Sequence, residues 1–273
     1  MLYSLIDRLR EWIDFLRTDP IGFVVYVFFT AVTILLSLIL HEVAHGYVAW
    51  RCGDPTAKWM GRLSLDPRKH LDPLGTISMI FIGIGWAKPV PVNPRNFSNY
   101  RRDDFLVSIA GIATNLMLFI ACTALSVGIN GLMWNRDFLT TMKDSMGTLE
   151  YLVSPYYMIG YGIAYGELDP MWTANMAAPW LQYVQRFLLL MAQTNLALAV
   201  FNLLPIPPLD GYHLLNDTLL KGRLQLNQQT FQIAHFVLLI LCFSGALGGL
   251  LSTVNTTVYS AVLNLFLKIT GGV

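Results

Sequence analysis

Two histidines and a glutamate stand near the end of the long apolar run that begins at Ile21, in the stretch His41-Glu42-Val43-Ala44-His45. In a helix, residues four apart lie on one face, so both imidazoles can converge on a single metal ion. Glu42 would then lie beside a metal-bound water and could take its proton, which is the chemistry of a zinc hydrolase. The alternative is that the histidines pair with backbone or with each other at a helix end, which leaves Glu42 unexplained.

The composition of the chain indicates an integral membrane protein. Hydrophobic residues make up 55% of the 273 residues and charged residues 13%, against roughly 45–50% and about 25% in soluble domains. Ionisable residues inside an apolar span are costly, so the histidines and the glutamate mark a functional site by default. The net charge of +1 gives no reason to expect a nucleic-acid partner. Three widely spaced cysteines suggest neither a disulfide framework nor a thiolate metal site.

The hydrophobic pattern predicts an all-α polytopic membrane protein. Its N-terminus has no pattern of a removable signal peptide, and apolar residues at three- and four-residue spacing predict an amphipathic helix on the membrane surface instead. No large soluble domain is expected, so we predict a single membrane-embedded domain over 1–273. Its predicted parts are the interfacial helix 1–20, spans at 21–50, 105–130, 181–204 and 231–251, and a final segment at 254–270 that spans the membrane or lies along the interface.

Residues 71–94 form a different kind of segment, predicted to be re-entrant or a β-hairpin. Its apolar part is short for a span, and proline then excludes the α conformation from the residues that precede it. An extended edge of this kind could pair with an unwound peptide. The candidate substrate-binding residues here are Trp86, Lys88, Pro89, Val90 and Pro91.

The distribution of positive charge predicts an orientation. Residues 51–104 carry nine Lys and Arg residues, whereas the aromatic loop 131–180 carries two. By the positive-inside rule the first region is cytoplasmic, and the loop is extracytoplasmic. The loop is then either a cap over the helices or a belt of interfacial aromatic anchors. The metal motif is predicted to open towards the cytoplasm.

A third metal ligand is expected, because a catalytic zinc usually takes three protein ligands and leaves a position for water. The span ending at Asn202 runs into Leu203-Leu204-Pro205-Ile206-Pro207-Pro208-Leu209-Asp210-Gly211, where prolines prevent a regular helix. A carboxylate at the end of such an apolar run is hard to explain as a solvated charge, so Asp210 is the expected ligand. His213 could compete with it, but a polar contact at the interface is the favoured interpretation, and His213, His70 and His235 are not expected in the site.

With HExxH in one membrane helix and Leu209-Asp210-Gly211 after a proline-rich break in a later one, the chain resembles the site-2 protease family of intramembrane zinc metalloproteases. Further stretches resemble its compact bacterial and archaeal branch, which lacks PDZ and CBS domains. These stretches are 61–67, 70–76 and 85–94. The resemblance implies a three-helix catalytic core within 35–125 and 185–220, a Zn²⁺ cofactor, and a transmembrane protein in the lipid bilayer as substrate.

The resemblance also implies an asparagine in the middle core helix that holds the substrate or the oxyanion. The matching element here is Gly111-Ile112-Ala113-Thr114-Asn115, with Ile112 where the family has proline. An amide in this helix could donate to the developing oxyanion, or could form a hydrogen bond between helices. Asn202 is a further candidate for substrate binding, although a hydrogen bond between helices is the favoured interpretation for it.

The sequence therefore favours a zinc endopeptidase of a bacterial or archaeal cell membrane, with its active site towards the cytoplasm. Its expected metal ligands are His41, His45 and Asp210, and its expected catalytic residues are Glu42 and Asn115. The alternatives are a membrane metal carrier or other non-proteolytic zinc protein with the same ligands, and an inactive relative. A carrier needs ligands and no base, so Glu42 argues against it. The natural substrate and the oligomeric state do not follow from the sequence.

Overall fold

The computed structural model describes residues 10, 12–73, 75, 88–146, 170–224 and 226–270. In chain order its longer helices are α1 (Pro20–Arg51), α2 (Tyr100–Met133), α3 (Arg136–Met146), α4 (Leu181–Asn202), α5 (Asp210–Thr218), α6 (Gln228–Ser244) and α7 (Gly248–Thr270). Short helical turns lie at Thr56–Trp59, Pro67–Lys69, Pro94–Asn96 and Pro170–Ala174. Within the described residues, four helices are long and apolar enough to cross a membrane, namely α1, α2, α4 and α7. The predicted all-α polytopic membrane fold is confirmed.

Helix α1 shows how the sequence sets its own boundaries. Pro20 stands at its first position, where a missing N–H costs no hydrogen bond. Between Gly22 and Gly46 there is neither proline nor glycine, so the helix continues without a break. The helix ends at Arg51, because Gly53 adopts φ 108° and Pro55 follows shortly after. Its 32 residues extend over about 48 Å, more than a bilayer requires.

The chain divides into two compact units. The first includes Ile34–Met117 and Asn195–Asn255 and contains every described residue of the predicted site. Within it, Asn195 Nδ2 donates to Ser37 Oγ at 2.8 Å, so α4 and α1 share a buried hydrogen bond. The second unit includes Trp12–Thr33, Leu118–Thr194 and Thr256–Val273. Its core contains the fully buried side chains Val127, Met133 and Leu263, among others.

The C-terminal helices differ from the predicted boundaries. A single span was predicted at 231–251, but α6 ends at Ser244 and α7 begins at Gly248. Gly245 has φ 74° and caps α6 in the left-handed conformation, with its N–H directed to Cys242 O at 3.2 Å. The last segment therefore starts earlier than the predicted 254–270, and it is α7 rather than α6 that has the length of a span.

Three predicted features fall partly outside the described residues. Of the N-terminal helix, residues 12–18 are described and helical, and 1–9 and 11 are not. Of the segment 71–94, the structure leaves out 74 and 76–87, including Trp86. In the loop 131–180, α2 continues to Met133 and α3 follows, while 147–169 lie outside the description.

Candidate metal centre

His41, His45 and Asp210 meet in the first unit. The two Nε2 atoms lie 3.0 Å apart, and Asp210 Oδ2 lies 3.3 Å from His41 Nε2 and 3.4 Å from His45 Nε2. Both histidines are buried, at 5% and 9% exposure. Helical spacing in α1 puts the two imidazoles on one face. Asp210 reaches them as the first residue of α5, directly after Leu209, whose backbone is extended.

These distances fit a zinc ion. Tetrahedral bonds of about 2.0–2.1 Å place neighbouring ligand atoms about 3.3 Å apart, close to the three separations found here. Asp210 Oδ2 is buried and has no hydrogen-bond donor of its own, as expected for an oxygen that coordinates a cation. Burial alone would raise the pKa of Asp210, but its contacts with the two histidines outweigh burial and hold that pKa well below its usual range. The carboxylate is therefore ionised, as a ligand must be.

The outer nitrogens of both histidines are held from α2. His45 Nδ1–H donates to the backbone carbonyl of Val107 at 2.7 Å, which leaves Nε2 free for a metal. The side-chain amide of Asn115, fully buried, lies 3.1 Å from His41 Nδ1, and Asn115 Oδ1 has no other partner. With the amide turned so that Oδ1 accepts from Nδ1–H, the oxygen is satisfied and His41 Nε2 keeps its lone pair.

Gly111 of α2 lies close to the Nε2 atoms of the two imidazoles. A Cβ atom at this position would meet His45 Nε2 and would lie 2.7 Å from His41 Nε2. Only a residue without a side chain lets α2 approach the ligand atoms this closely. Gly111 belongs to the sequence element that resembles the family, but only the structure shows that it leaves room for the two imidazoles.

Glu42 is held by the extended segment that follows the undescribed residues. Its Oε2 accepts a hydrogen bond from the main-chain N–H of Val90 at 2.7 Å, across 48 residues of sequence. Val90 is buried, at 8% exposure. The predicted substrate-binding residues Lys88, Pro89 and Pro91 flank it along the same segment, and Lys88 and Pro89 are exposed.

The extended segment is fixed on both sides of Val90. Lys88 N–H donates to His70 O at 2.8 Å, and Lys88 O accepts from Arg62 Nη2 at 2.6 Å. Beyond Val90, Asn93 N–H donates to Asp54 Oδ2 at 2.6 Å. The sequence did not predict these supports, although Arg62, His70 and Asn93 lie in the stretches that resemble the family.

Asp54 is a fully buried carboxylate at the end of this support. Burial would raise its pKa, but hydrogen bonds from the backbone of Asn93 and from Thr56 and Asn96 outweigh burial, so the pKa is lowered. The group is ionised at neutral pH, and a charged acceptor forms the stronger hydrogen bonds that hold the turn.

A second cluster of charged groups fixes α5 against the start of α2. His213 Nδ1 lies 3.0 Å from Asp104 Oδ2, and Arg101 Nη2 donates to the backbone oxygen of Asp217 at 2.7 Å. The hydrogen bond to Asp104 raises the pKa of His213. Burial, followed by the charge of Asp104, raises the pKa of Asp217 to about 6. His213 thus contacts Asp104 and is not among the three clustered ligands.

Asn202, the remaining predicted residue, lies at the last position of α4. Its Nδ2 donates to Leu198 O at 3.0 Å, a bond within its own helix. The structure therefore brings together His41, His45, Asp210 and Asn115, and it links Glu42 to Val90. Trp86 lies outside the described residues.

Long apolar helices, with two histidines and an aspartate clustered beside a glutamate, define the class of membrane-embedded zinc hydrolases. The chain belongs to peptidase family M50, whose profile matches residues 29–245. This confirms the predicted site-2 protease family, the zinc cofactor and the enzyme class: the protein is an integral membrane zinc metalloprotease.

Relatives with this name occur in several bacteria. The chain is 35% identical over 223 residues to "Putative zinc metalloprotease YwhC" of Bacillus subtilis (strain 168), covering 81% of this chain and 82% of the relative. It is 34% identical over 168 residues to "Putative zinc metalloprotease Rip2" of Mycobacterium tuberculosis (strain ATCC 25618 / H37Rv), covering 58% and 63%. No solved structure matches the chain at a comparable level.

Proposed function

We propose that the protein is an intramembrane endopeptidase that cuts transmembrane segments of membrane protein substrates. In this proposal His41, His45 and Asp210 hold zinc, and Glu42 is the general base. The observation that carries it is the cluster of three ligand atoms, 3.0–3.4 Å apart, beside a glutamate on a helix apolar enough to span the bilayer. Catalytic groups placed on such a helix act at membrane depth, where substrate helices lie.

The chemical roles follow from the groups present. Zinc held by His41, His45 and Asp210 would supply a Lewis acid able to polarise the scissile carbonyl and acidify the attacking water. Glu42 takes the proton of that water and delivers it to the leaving amine. Val107 O and Asn115 orient the two histidines from behind. Donation of the Asn115 amide to the oxyanion remains a second proposed role for this residue.

The substrate must be unwound before attack, because a helix hides its carbonyls in its own hydrogen bonds. The extended segment offers it a partner. Lys88 N–H and Val90 N–H are already bonded, to His70 O and to Glu42, and prolines at 89 and 91 bring no N–H. In an extended strand, successive residues direct their backbone N–H and C=O groups to opposite sides. The carbonyls of Pro89 and Pro91 therefore lie on the side away from Glu42, where an added peptide can donate its N–H groups to them.

The proposed location is a bacterial or archaeal cell membrane with the site towards the cytoplasm. Nine Lys and Arg residues in 51–104 support this orientation, since positive charge accumulates in cytoplasmic loops. Those residues flank the extended segment and the end of α1 that carries the histidines. Water and the substrate's unwound end would then enter from the same side.

Cleavage in vesicles tests the proposal. The purified full chain is reconstituted with single-pass membrane proteins, and the products are located by mass spectrometry. We expect the wild type to cut within apolar segments. Glu42→Gln keeps the shape of the side chain and leaves the three zinc ligands unchanged, so its loss of about 10²–10⁴-fold in rate would report the missing base. Full cleavage by Glu42→Gln, or cuts confined to soluble tails, would overturn the proposal.

A further inference from the structure

The segment Pro89-Val90-Pro91 contains a single main-chain N–H group, because proline has none. That group is directed at Glu42, with Val90 N 2.7 Å from Oε2. The prolines also confine Lys88 and Val90 to extended conformations, since each of these precedes a proline. The local sequence thus supplies one donor on a stiff piece of backbone.

The surroundings hold this donor in place. Arg62 and His70 bind the backbone of Lys88, two residues before it, and Asp54 binds the backbone of Asn93, three residues after it. The Val90 side chain packs towards α1, where a Cβ atom added to Gly46 would lie 2.8 Å from Val90 Cγ1. Gly46 therefore permits the close approach of the segment to the helix that carries Glu42.

We propose that the main-chain N–H of Val90 is the positioning group of the general base Glu42. A glutamate side chain has three rotatable bonds, and its last torsion is broad, so an unrestrained carboxylate samples many orientations. A charge-assisted hydrogen bond to Oε2 removes this freedom and leaves Oε1 to accept the proton. The inference rests on the proposed function, because it assigns the base a partner.

This arrangement couples substrate binding to catalysis. The segment proposed to pair with the opened peptide through Pro89 and Pro91 is the one that orients Glu42 through Val90. Any displacement of the segment, by substrate or by mutation, moves the base with it. Positioning of this kind affects the rate of the chemical step more than the binding of substrate.

Three variants separate the N–H from the side chain. Val90→Pro removes the N–H within an already proline-rich stretch, and Val90→Ala keeps the N–H but removes most of the packing. Replacement of Val90 by its α-hydroxy acid, introduced by nonsense suppression, turns the amide into an ester. It removes the N–H and keeps the side chain, but it also makes the Pro89 carbonyl a weaker acceptor, so its KM is compared with that of Val90→Pro. Val92→Pro is the matched control, since it leaves the Val90 N–H in place.

The readouts are bound zinc, the dissociation constant of a peptidyl hydroxamate, and kcat and KM for a membrane substrate that the wild type cuts. We expect about one zinc per chain in every variant. The ester and Val90→Pro should lower kcat at least about tenfold with KM within about twofold, and weaken hydroxamate binding about tenfold, because the base also accepts the hydroxamate proton. Val90→Ala should lower kcat less than the ester does, because its N–H is kept, and Val92→Pro should stay within about threefold of the wild type.

A wild-type kcat and hydroxamate affinity in the ester variant would overturn the inference, and so would an equal loss in Val90→Ala, which would assign the effect to side-chain packing. If Val90→Pro loses its zinc through misfolding, the ester variant decides. Failure of the proposed function itself gives a different result, in which Glu42→Gln cleaves as fast as the wild type.

Discussion

At the scale of single residues, the space around the histidines is as specific as the ligands themselves. Gly111 faces His41 and His45 so closely that its missing side chain is what leaves room at their Nε2 atoms. In an ordinary helix interior, alanine is favoured over glycine by about 1 kcal/mol. At Gly111 a side chain would collide with the Nε2 atoms of both histidines, so the contact between α2 and the ligands requires glycine.

Gly111→Ala is therefore expected to weaken zinc binding without unfolding the protein. The added methyl group meets the Nε2 atoms of both imidazoles, while the helix itself gains intrinsic stability. Zinc affinity, measured by competition with a chelator, should fall at least about tenfold. Gly128→Ala in the same helix is the control, because a Cβ there meets no atom within 4 Å. Wild-type zinc affinity in Gly111→Ala would contradict the geometry described for α2.

What the sequence could predict at this scale depends on how local each signal is. His41 and His45 were identified because a spacing of four is readable from a single helix. Asp210 came from a carboxylate after a proline-rich break, together with the family motif. The Val90 N–H could not be found in this way, because every residue except proline has such a group, and only the folded chain brings this one to Glu42.

At the scale of elements, the position of Asp210 depends on how α5 is attached. Asp210 begins this nine-residue helix, and His213 and Asp217 on the same helix contact Asp104 and Arg101 at the start of α2. Two turns of helix cannot hold a ligand by themselves, since isolated helices of this length are marginal. The charged cluster attaches α5 to α2, but it also places the carboxylate of Asp217 near that of Asp104, which is unfavourable.

That cost has a pH dependence. The pKa of Asp217 is about 6 in the folded protein, above the value of about 3.9 for an unfolded chain. The folded state thus favours the protonated carboxyl. The ionised carboxylate lowers the free energy of unfolding by its full amount above pH 6, by less as the pH falls from 6 to 4, and not at all below pH 4. After allowance for partial solvent access, this full amount is about 1 kcal/mol.

Asp217→Asn keeps the shape of the side chain and removes this charge. We expect its melting temperature in detergent, with zinc chelated, to exceed that of the wild type by about 2–4 °C at pH 7.5 and to equal it near pH 4. Thermal unfolding followed at several pH values measures the difference. A difference that does not change with pH, or a variant less stable than the wild type at pH 7.5, would show that the cluster is not strained.

Element boundaries also show where a hydrophobic pattern fails. The apolar run through 231–251 predicts one span, because the aliphatic residues on both sides of Gly245 outweigh it in any hydropathy window. The structure ends α6 at that glycine, which takes a φ of 74° that other residues rarely adopt. Hydropathy measures which segments avoid water, whereas backbone conformation decides where a helix stops.

At the scale of the whole molecule, the first unit contains buried polar side chains that form hydrogen bonds between its helices. Ser37 with Asn195, and His41 with Asn115, form buried hydrogen bonds between helices of this unit. Unpaired, such groups would be costly in hydrocarbon. Composition was enough to predict a membrane protein with several spans, since this property sums over the whole chain. It could not show how the helices are grouped into units, because that depends on contacts between distant residues.

The account depends on one zinc held by His41, His45 and Asp210, and elemental analysis of purified protein tests this most directly. We predict about one zinc per chain in the wild type and in the controls Glu42→Gln and Asp217→Asn, and less than about a tenth of that in His45→Ala and Asp210→Ala. Asp217→Asn is matched to Asp210→Ala, since both change a carboxylate on α5. Zinc retained at the wild-type level in Asp210→Ala would contradict the account, because the ligand supplied by α5 would then lie elsewhere.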